Sequence, residues 1–190
     1  MYQAAPDPYC YPDSSVLRNK AGLTSAEDLE AFETAMTFAR SEEPLPRGRL
    51  SATHYRAIHR HLFQDVYEWA GRDRTIRISK GESTFCYPEH IASEMKRVFA
   101  WLKNQHFLVD FDPAKFAAKS AHFLSELNAI HPFREGNGRT QLTFMALLAD
   151  NAGHPLDLDK LDPGATLDAM IQSFGGNEIP LRDLIASLIP

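Results

Sequence analysis

A run of apolar residues at helical spacing is the strongest constraint that this 190-residue sequence places on its fold. The apolar positions step by three, four, four and three residues: Tyr55, Ile58, Leu62, Val66 and Trp69. This period places them on one face of an amphipathic helix, with Ser51 as the predicted N-cap and Gly71 at the end.

Helical periodicity recurs along most of the chain. Thr24 and Glu27 have the spacing of a capping box, so the first helix is predicted to start at Thr24. Later helices are predicted to open at Pro88, at Asp112-Pro113 and near Gly138, with shorter ones over 166–174 and 181–189. The first 23 residues, rich in Pro, Asp and Tyr, are predicted to form an extended N-terminal arm.

One segment changes from helical to alternating periodicity. Its polar and apolar residues alternate from Thr75 to Ser79, the turn is Lys80-Gly81-Glu82, and Thr84 to Tyr87 follow. This pattern predicts a β-hairpin over 72–87, which must lie on helices because two strands alone are marginally stable. The predicted fold class is therefore all-α, with six to eight helices and one hairpin in a single domain over 1–190.

Composition narrows the function classes. The chain has 20 Lys plus Arg against 25 Asp plus Glu, a formal net charge of −5. Proteins that coat nucleic acid need a surplus of cations, so no direct nucleic-acid partner is expected. A signal peptide is not expected, because the first residues lack its basic and apolar regions, and no apolar run is long enough to predict a membrane span. Cys10 and Cys86 are expected to be reduced in a cytoplasmic protein.

A break in the helical pattern is predicted over 128–137. At the end of this break and the start of the next helix, nine residues combine a base, a carboxylate, an amide, two glycines and two arginines: His131-Pro132-Phe133-Arg134-Glu135-Gly136-Asn137-Gly138-Arg139. Consecutive N–H groups entering a helix form an anion site, and Arg139 can bind a phosphate. Glu135 is an oxygen ligand suited to Mg²⁺, and His131 can take a proton at neutral pH. The pattern predicts a site for a phosphorylated ligand, a metal and a base.

The structural alternative for Gly-Asn-Gly by itself is a turn that links two helices. The density of His, Glu, Asn and Arg among the glycines favours the functional interpretation. A zinc site at His54, His59 and His61 is not expected, because spacings of five and two do not place them on one helix face and no Cys accompanies them.

The sequence HPFREGNGRTQL (131–142) closely resembles the Fic motif, HxFx(D/E)GNGRxxR. The resemblance extends over nearly the whole chain, through DPYCYPDSSVLRNKAGL, IHRHLFQDVYEWAG and TIRISKGESTFC. Fic proteins are helical domains with a β-hairpin flap over the active site. Most transfer AMP from ATP to a hydroxyl side chain of a target protein and release pyrophosphate. The resemblance therefore implies a Fic fold and a Mg²⁺-dependent protein adenylyltransferase.

The resemblance implies a role for each residue of the loop. His131 would be the base for a Ser, Thr or Tyr hydroxyl, and Phe133 would anchor the loop in the core. Glu135 would hold Mg²⁺ between the α- and β-phosphates of ATP, and Arg139 would contact the β-phosphate. The residues that would cradle those phosphates are Gly136, Asn137 and Gly138.

One position departs from the motif, because Leu142 stands where the family has a second arginine. In Fic proteins that arginine meets the γ-phosphate of ATP. A reduced rate, compensation by Arg134 or Lys80, and a different donor such as UTP, GTP or a phosphocholine nucleotide all remain open. A nucleotide-binding module with little or no transfer is the alternative function.

The flap and the C-terminal region supply the remaining candidates. Fic flaps pair with a segment of the target as an added strand, and Ile76, Lys80 and Phe85 are expected near the target or nucleotide. Phe174 and Asn177 resemble the adenine-binding segment of the family. In the alternative interpretation, the hairpin only covers the core and its cations lie in solvent: Arg72, Arg74, Arg77 and Lys80.

The resemblance also implies partners. The inhibitory motif (S/T)xxxE(G/N) does not occur in the sequence, as in stand-alone Fic toxins that are inhibited by a separate small antitoxin protein. The targets of those toxins are the bacterial type II topoisomerases, DNA gyrase and topoisomerase IV. A bacterial cytoplasmic toxin is therefore the expectation, with a secreted effector as the alternative.

Overall fold

The computed structural model describes residues 7–80 and 83–190. In that part of the chain the structure has seven α-helices, two single-turn 3-10 helices and one pair of two-residue strands. The α-helices are α1 (Ala26–Ser41), α2 (Ala52–Phe63), α3 (Pro88–Asn104), α4 (Pro113–Ile130), α5 (Asn137–Ala152), α6 (Pro163–Phe174) and α7 (Ile179–Leu188). The 3-10 helices are His106–Leu108 and Leu158–Lys160. The predicted all-α class is confirmed.

Helix α4 is the centre of the fold. It packs against α3, α5, α6 and α7, and its wholly buried side chains include Phe116, Phe123 and Leu127. Its start was encoded locally, since Asp112 is the N-cap and accepts a hydrogen bond from Lys115 N at 2.8 Å. Because a central helix has a fixed place in the core, the groups at its C-terminal end are held firmly.

Two predicted helix boundaries are wrong. The N-cap of α1 is Ser25, whose hydroxyl accepts from Asp28 N, and not Thr24. Helix α2 starts after Ser51 as predicted but ends at Phe63, well before Gly71. Beyond Phe63 the chain forms irregular turns that keep Val66 buried, so apolar periodicity continues although the helix has ended.

The hairpin is shorter than predicted. Strand β1 (Ser79–Lys80) pairs antiparallel with β2 (Ser83–Thr84), and Phe85 N extends the ladder by donating to Ile78 O at 3.3 Å. Below that point, Cys86 N donates to Ala129 O at 3.0 Å and Arg74 N donates to Pro132 O at 2.8 Å, so each side contacts the end of α4 or the loop after it. The predicted turn residues Gly81 and Glu82 lie outside the described residues.

The N-terminal arm is folded back on itself where it is described. An isolated bridge pairs Cys10 with Leu17, and both residues are buried with Val16, so the prediction of an extended arm is wrong. Both cysteines are free thiols. Among the helices that the structure describes, none combines the length and apolar character needed to cross a membrane.

Candidate active site

The loop that carries the candidate residues joins the end of α4 to the start of α5. Helix α4 continues through Asn128 to Ile130, so the break covers 131–136 and is shorter than predicted. His131 ends α4 in a left-handed conformation (φ 48°, ψ 63°), and Gly136 starts α5 in another (φ 80°). A non-glycine residue in this region is strained unless its surroundings hold it. Contacts with other parts of the fold must therefore hold the loop in this conformation.

Phe133 ties the loop to the core. Its wholly buried ring stacks on Tyr55 and His59 of α2, with centroids 5.5 Å and 3.7 Å away. Aromatic pairs at these separations contribute beyond their buried area. The anchoring role that the resemblance implies for Phe133 agrees with this placement.

Asn137 braces the same loop from the other side. Its Oδ1 accepts from Phe133 N at 3.0 Å, and its Nδ2 donates to Phe133 O at 2.8 Å. Because the amide is committed to Phe133 and the residue is 2% exposed, its side chain is not free to bind a ligand. Asn137 can contribute to an anion site only through its backbone N–H.

His59 is a site-supporting residue that sequence reasoning did not find. Its Nδ1 accepts from Gly71 N at 2.8 Å, which leaves the proton on Nε2, and Nε2 donates to Glu135 O at 3.0 Å. Burial lowers the pKa of His59 to about 4, so the ring is neutral near pH 7. The other two histidines of α2 bond elsewhere, His54 to Pro46 O and His61 to Arg40 O.

His131 lies under the flap. The ring of Phe85 stacks on it, with centroids 3.9 Å apart and planes at 23°. Burial, and secondarily the charge of Arg74, lower the pKa of His131 to about 4. The nearby backbone of Asn128 raises the pKa and so offsets part of this shift. The Nδ1 atom is buried, and no partner among the described residues lies in hydrogen-bond geometry to it. His131 is therefore a neutral imidazole near pH 7.

Arg139 is held by an acid from the first helix. Its Nη2 donates to Glu33 Oε1, and its Nη1 donates to Thr37 Oγ1 at 3.2 Å. Tyr67 donates to the other oxygen of Glu33. The guanidinium lies 4.7 Å from the ring centroid of Phe63 and stays partly exposed, so a phosphate can still reach it.

Three N–H groups are available at the start of α5. The first backbone bond of the helix runs from Thr140 N to Gly136 O at 3.1 Å, so the amides of Asn137, Gly138 and Arg139 precede the intrahelical ladder. The helix dipole adds positive potential at this end. The arrangement fits a phosphate group.

The two glycines of the loop have different roles. A Cβ on Gly136 would lie 2.3 Å from Phe63 Cζ, and its φ of 80° disfavours other residues. A Cβ on Gly138 would meet no atom within 4 Å, and this residue is exposed. Gly136 is therefore required by the fold, while the space at Gly138 is open for a ligand.

Glu135 lies beside these amides, with Oε1 accepting from Gly136 N at 2.8 Å. Within the described ranges, no group of three or more His, Cys, Asp or Glu is placed to hold a metal ion. Mg²⁺ is commonly held by one or two carboxylates together with substrate phosphates. A single carboxylate next to a phosphate site fits that mode of binding.

The remaining candidates are only partly brought together. Phe174 contacts Phe85 edge-to-face at 5.5 Å and so joins the aromatic group over His131. Asn177 is exposed and bonds locally to Gln172. On the flap, Lys80 is exposed, and Ile76 is half-buried near the base.

Leu142 is half-buried and lines an apolar cleft with Leu184 and Leu188 of α7. Of the two cations considered as replacements for the second arginine, Arg134 binds Asp7 at 2.9 Å. Lys80 is exposed and is therefore the cation with more freedom to move.

Arg74 does not lie in solvent, as the alternative interpretation of the hairpin expected. Its side chain is 2% exposed and donates only to backbone carbonyls, among them His131 O at 2.8 Å. Sequence reasoning missed this residue because it stands among three other cations of similar appearance. It directly follows Asp73, the acidic partner of Arg56, and this position in the sequence gives no signal of burial.

Comparison with known proteins finds relatives of this chain over nearly its whole length. The Fic/DOC family model matches residues 49–149. The chain is 52% identical over 189 residues to a protein of Sinorhizobium fredii named "Probable protein adenylyltransferase y4lH", covering 99% of this chain and 98% of that protein. It is 36% identical to "Probable protein adenylyltransferase Fic" of Escherichia coli, covering 96% and 92%.

A solved structure shows the same fold. The BepC effector of Bartonella tribocorum, determined with bound AMPPNP, superposes with a TM-score of 0.86 at 27% identity, covering 96% of each chain. At 36–52% identity to protein adenylyltransferases over most of its length, this chain is an enzyme of the nucleotidyltransferase class. It has the Fic fold, and it belongs to the Fic/DOC family.

Proposed function

We propose that this protein transfers AMP from ATP to a hydroxyl side chain of a target protein and releases pyrophosphate. The observation that carries the proposal is the loop between α4 and α5. It places a neutral imidazole at one end and the open N-terminus of a helix, with Arg139 in the first turn, at the other. This combination can deprotonate a hydroxyl and hold the phosphates that the hydroxyl attacks.

The steps follow from these groups. Because Nδ1 of His131 is buried, Nε2 is the nitrogen that takes the proton of the target hydroxyl. The hydroxyl oxygen then bonds to the α-phosphorus of ATP, the bond from that phosphorus to the bridging oxygen breaks, and pyrophosphate leaves. The amides of α5 and Arg139 hold the phosphates in place, and positioning with charge neutralisation supplies much of the catalysis in such transfers.

We assign Glu135 as the carboxylate that would hold Mg²⁺. When bound, the ion would neutralise charge on the phosphates. His59 would keep the backbone of Glu135 in place through its bond to Glu135 O. Ile76, Lys80 and Phe85 would face the target segment or the nucleotide, and Phe174 with Asn177 the adenine side.

The proposal extends to partners. The strand pair at Ser79–Lys80 and Ser83–Thr84 would present its edge to an extended segment of the target. By family resemblance we propose type II topoisomerases as targets, a small antitoxin protein as inhibitor and the bacterial cytoplasm as the place of action. Purified DNA gyrase and topoisomerase IV should accept AMP, and transfer to neither would reject this part.

The test of the reaction uses ATP labelled on the α-phosphate, with Mg²⁺ and a bacterial lysate. One or a few proteins should be labelled that stay unlabelled in lysate without the added enzyme, while ATP labelled on the γ-phosphate should label no protein beyond those that the lysate labels by itself. His131→Ala should abolish labelling, whereas the exposed-surface control His106→Asn should retain it. Labelling by His131→Ala at the wild-type rate would reject the assigned base, and mass spectrometry of the product would identify the modified residue.

A second candidate is a nucleotide-binding module with weak transfer. The observation that favours it is that Leu142 stands at the position of the second motif arginine and lines an apolar cleft. The expected γ-phosphate site therefore lacks one guanidinium. Calorimetry that shows Mg·ATP binding, together with absence of transfer across lysates, would support this candidate. Competition among ATP, GTP, UTP and a phosphocholine nucleotide would identify a different donor.

A further inference from the structure

Arg74 is the largest of the wholly buried side chains in the part of the chain that the structure describes. Burial of a guanidinium is costly unless it is paired and hydrogen-bonded. The neighbouring acid, Asp73, is occupied by Arg56 at 2.6 Å. The charge of Arg74 must therefore be stabilised in another way.

The partners of Arg74 are backbone carbonyls from two separate places. On the flap segment, Nη1 donates to Ile76 O and Nη2 donates to Cys86 O, both at 2.6 Å. At the end of α4, Nε donates to His131 O at 2.8 Å and Nη2 to Ile130 O at 3.2 Å. One planar side chain thus links both sides of the flap base to the last residues of α4.

This arrangement also explains how the cation is tolerated. The last four carbonyls of a helix lack intrahelical partners and carry partial negative charge from the dipole. The side chain of Arg74 occupies one of them, Ile130 O, and Cys86 N donates to another, Ala129 O, at 3.0 Å. The backbone N–H of Arg74 binds Pro132 O at 2.8 Å. Arg74 therefore caps α4 from the flap.

We propose that Arg74 is a positioning residue, which holds the base of the flap and the backbone of His131 in one fixed arrangement. The proposal rests on the proposed function only in taking His131 as the base. The flap edge and the imidazole then keep a constant relation, because the same guanidinium binds Cys86 O, Ile76 O and His131 O. The left-handed backbone of His131 is held by the same contact.

The charged groups that act on His131 come from the flap segment. They are Arg74 and Lys80, and Phe85 of the flap covers the ring. A substitution that removes the charge of Arg74 therefore differs in effect from one that only shortens the side chain. Arg74→Met removes both the charge and the hydrogen bonds, while Arg74→Lys keeps the charge and cannot reach all four carbonyls.

The first experiment measures amide hydrogen exchange at Phe85 and Cys86 by NMR. Both variants should speed exchange at these amides at least about tenfold, and by more than in the interior of α4, because each loses hydrogen bonds to a charged group. Arg97→Met, which removes a surface arginine, is the matched control and should leave these amides unchanged. Wild-type exchange in the Arg74 variants, or an increase no larger than in α4, would overturn the proposal.

The second experiment titrates the His131 ring by NMR in the same proteins. Arg74→Met should raise its pKa toward the usual value, and Arg74→Lys should raise it less, whereas a purely structural loss would move both alike. If Arg74→Met does not fold, the Arg74→Lys exchange data and slow solvent exchange of the wild-type Arg74 Nε–H decide the question. Neither readout requires AMP transfer, so failure of the proposed function would be seen separately.

Discussion

The guanidinium of Arg139 donates a hydrogen bond to the carboxylate of Glu33, which lies 106 residues earlier in the chain. The arginine that we propose as a phosphate ligand is thus held by an acid that belongs to the first helix. Tyr67, from the irregular turns after α2, donates to the same carboxylate. Glu33 therefore connects three distant segments at the edge of the active site.

We predict that Glu33→Ala lowers the free energy of unfolding by about 2–4 kcal/mol, because it leaves the Tyr67 hydroxyl and the Arg139 guanidinium without their partner. Glu33→Gln keeps an acceptor and should cost about half as much. Urea unfolding measures both.

The control is Glu94→Gln on the exposed face of α3, where the carboxylate pairs with Arg97 at 2.7 Å. That surface pair should contribute less than about 1 kcal/mol. Equal losses of unfolding free energy in the Glu33 and Glu94 variants would show that the contacts of Glu33 with Arg139 and Tyr67 stabilise the protein no more than a surface ion pair does.

We predict opposite outcomes for alanine at the two glycines of the loop. Gly136→Ala should lower stability by at least about 2 kcal/mol, since its Cβ would collide with Phe63 and its φ is positive. Gly138→Ala should change stability by less than about 0.5 kcal/mol but weaken ATP binding at least about tenfold, because its Cβ would occupy the phosphate site. Thermal unfolding measures the change in stability, and calorimetry measures the affinity for ATP. An ATP affinity that is unchanged in Gly138→Ala would show that the phosphates do not bind at Gly138.

Stability should fall in mild acid. Burial lowers the pKa values of His59 and His131 to about 4 in the folded protein, from the usual value of 6.5. Between these values the unfolded chain binds protons that the folded chain does not, so stability decreases as the pH falls from about 6.5 towards 4. From about pH 7 to 5, each histidine should remove on the order of 2 kcal/mol.

Urea unfolding at the two pH values measures this loss, and His131→Gln should recover the part that belongs to His131. A free energy of unfolding that is the same at both pH values would show that neither imidazole is held neutral by the fold.

We predict that Leu142→Arg tightens ATP binding about tenfold, the order expected for one added guanidinium–phosphate contact. The same change should cost about 1–2 kcal/mol of stability, since the leucine lines an apolar cleft. Leu142→Met is the volume-matched control and should alter neither quantity much. ATP affinity that stays at the wild-type value in Leu142→Arg would show that this position no longer faces a phosphate.

The parts of the fold that sequence could predict are those encoded by neighbouring residues. Pro88 and Asp112-Pro113 mark helix starts through local geometry, and the structure has them there. The loop at 131–139 was predictable because its chemistry is contiguous in sequence. Even its family could be identified from those residues.

The parts that sequence could not predict depend on distant partners. Glu33 and Arg74 look like ordinary surface charges until the fold brings them to Arg139 and to the end of α4. The end of α2 at Phe63 was missed because buried turns keep the same apolar spacing as a helix. Long-range contacts and irregular buried backbone leave no periodic signal.

The stacking of Phe133 between Tyr55 and His59 has a genetic consequence. The loop that we propose as the catalytic loop is also part of the hydrophobic core, so a substitution that disrupts the core there would also disrupt the loop. A random selection for inactive variants should therefore return substitutions at Tyr55 and His59 alongside those at His131. Measuring the amount of folded protein together with its activity would separate the mutants that lose the fold from those that lose only the activity.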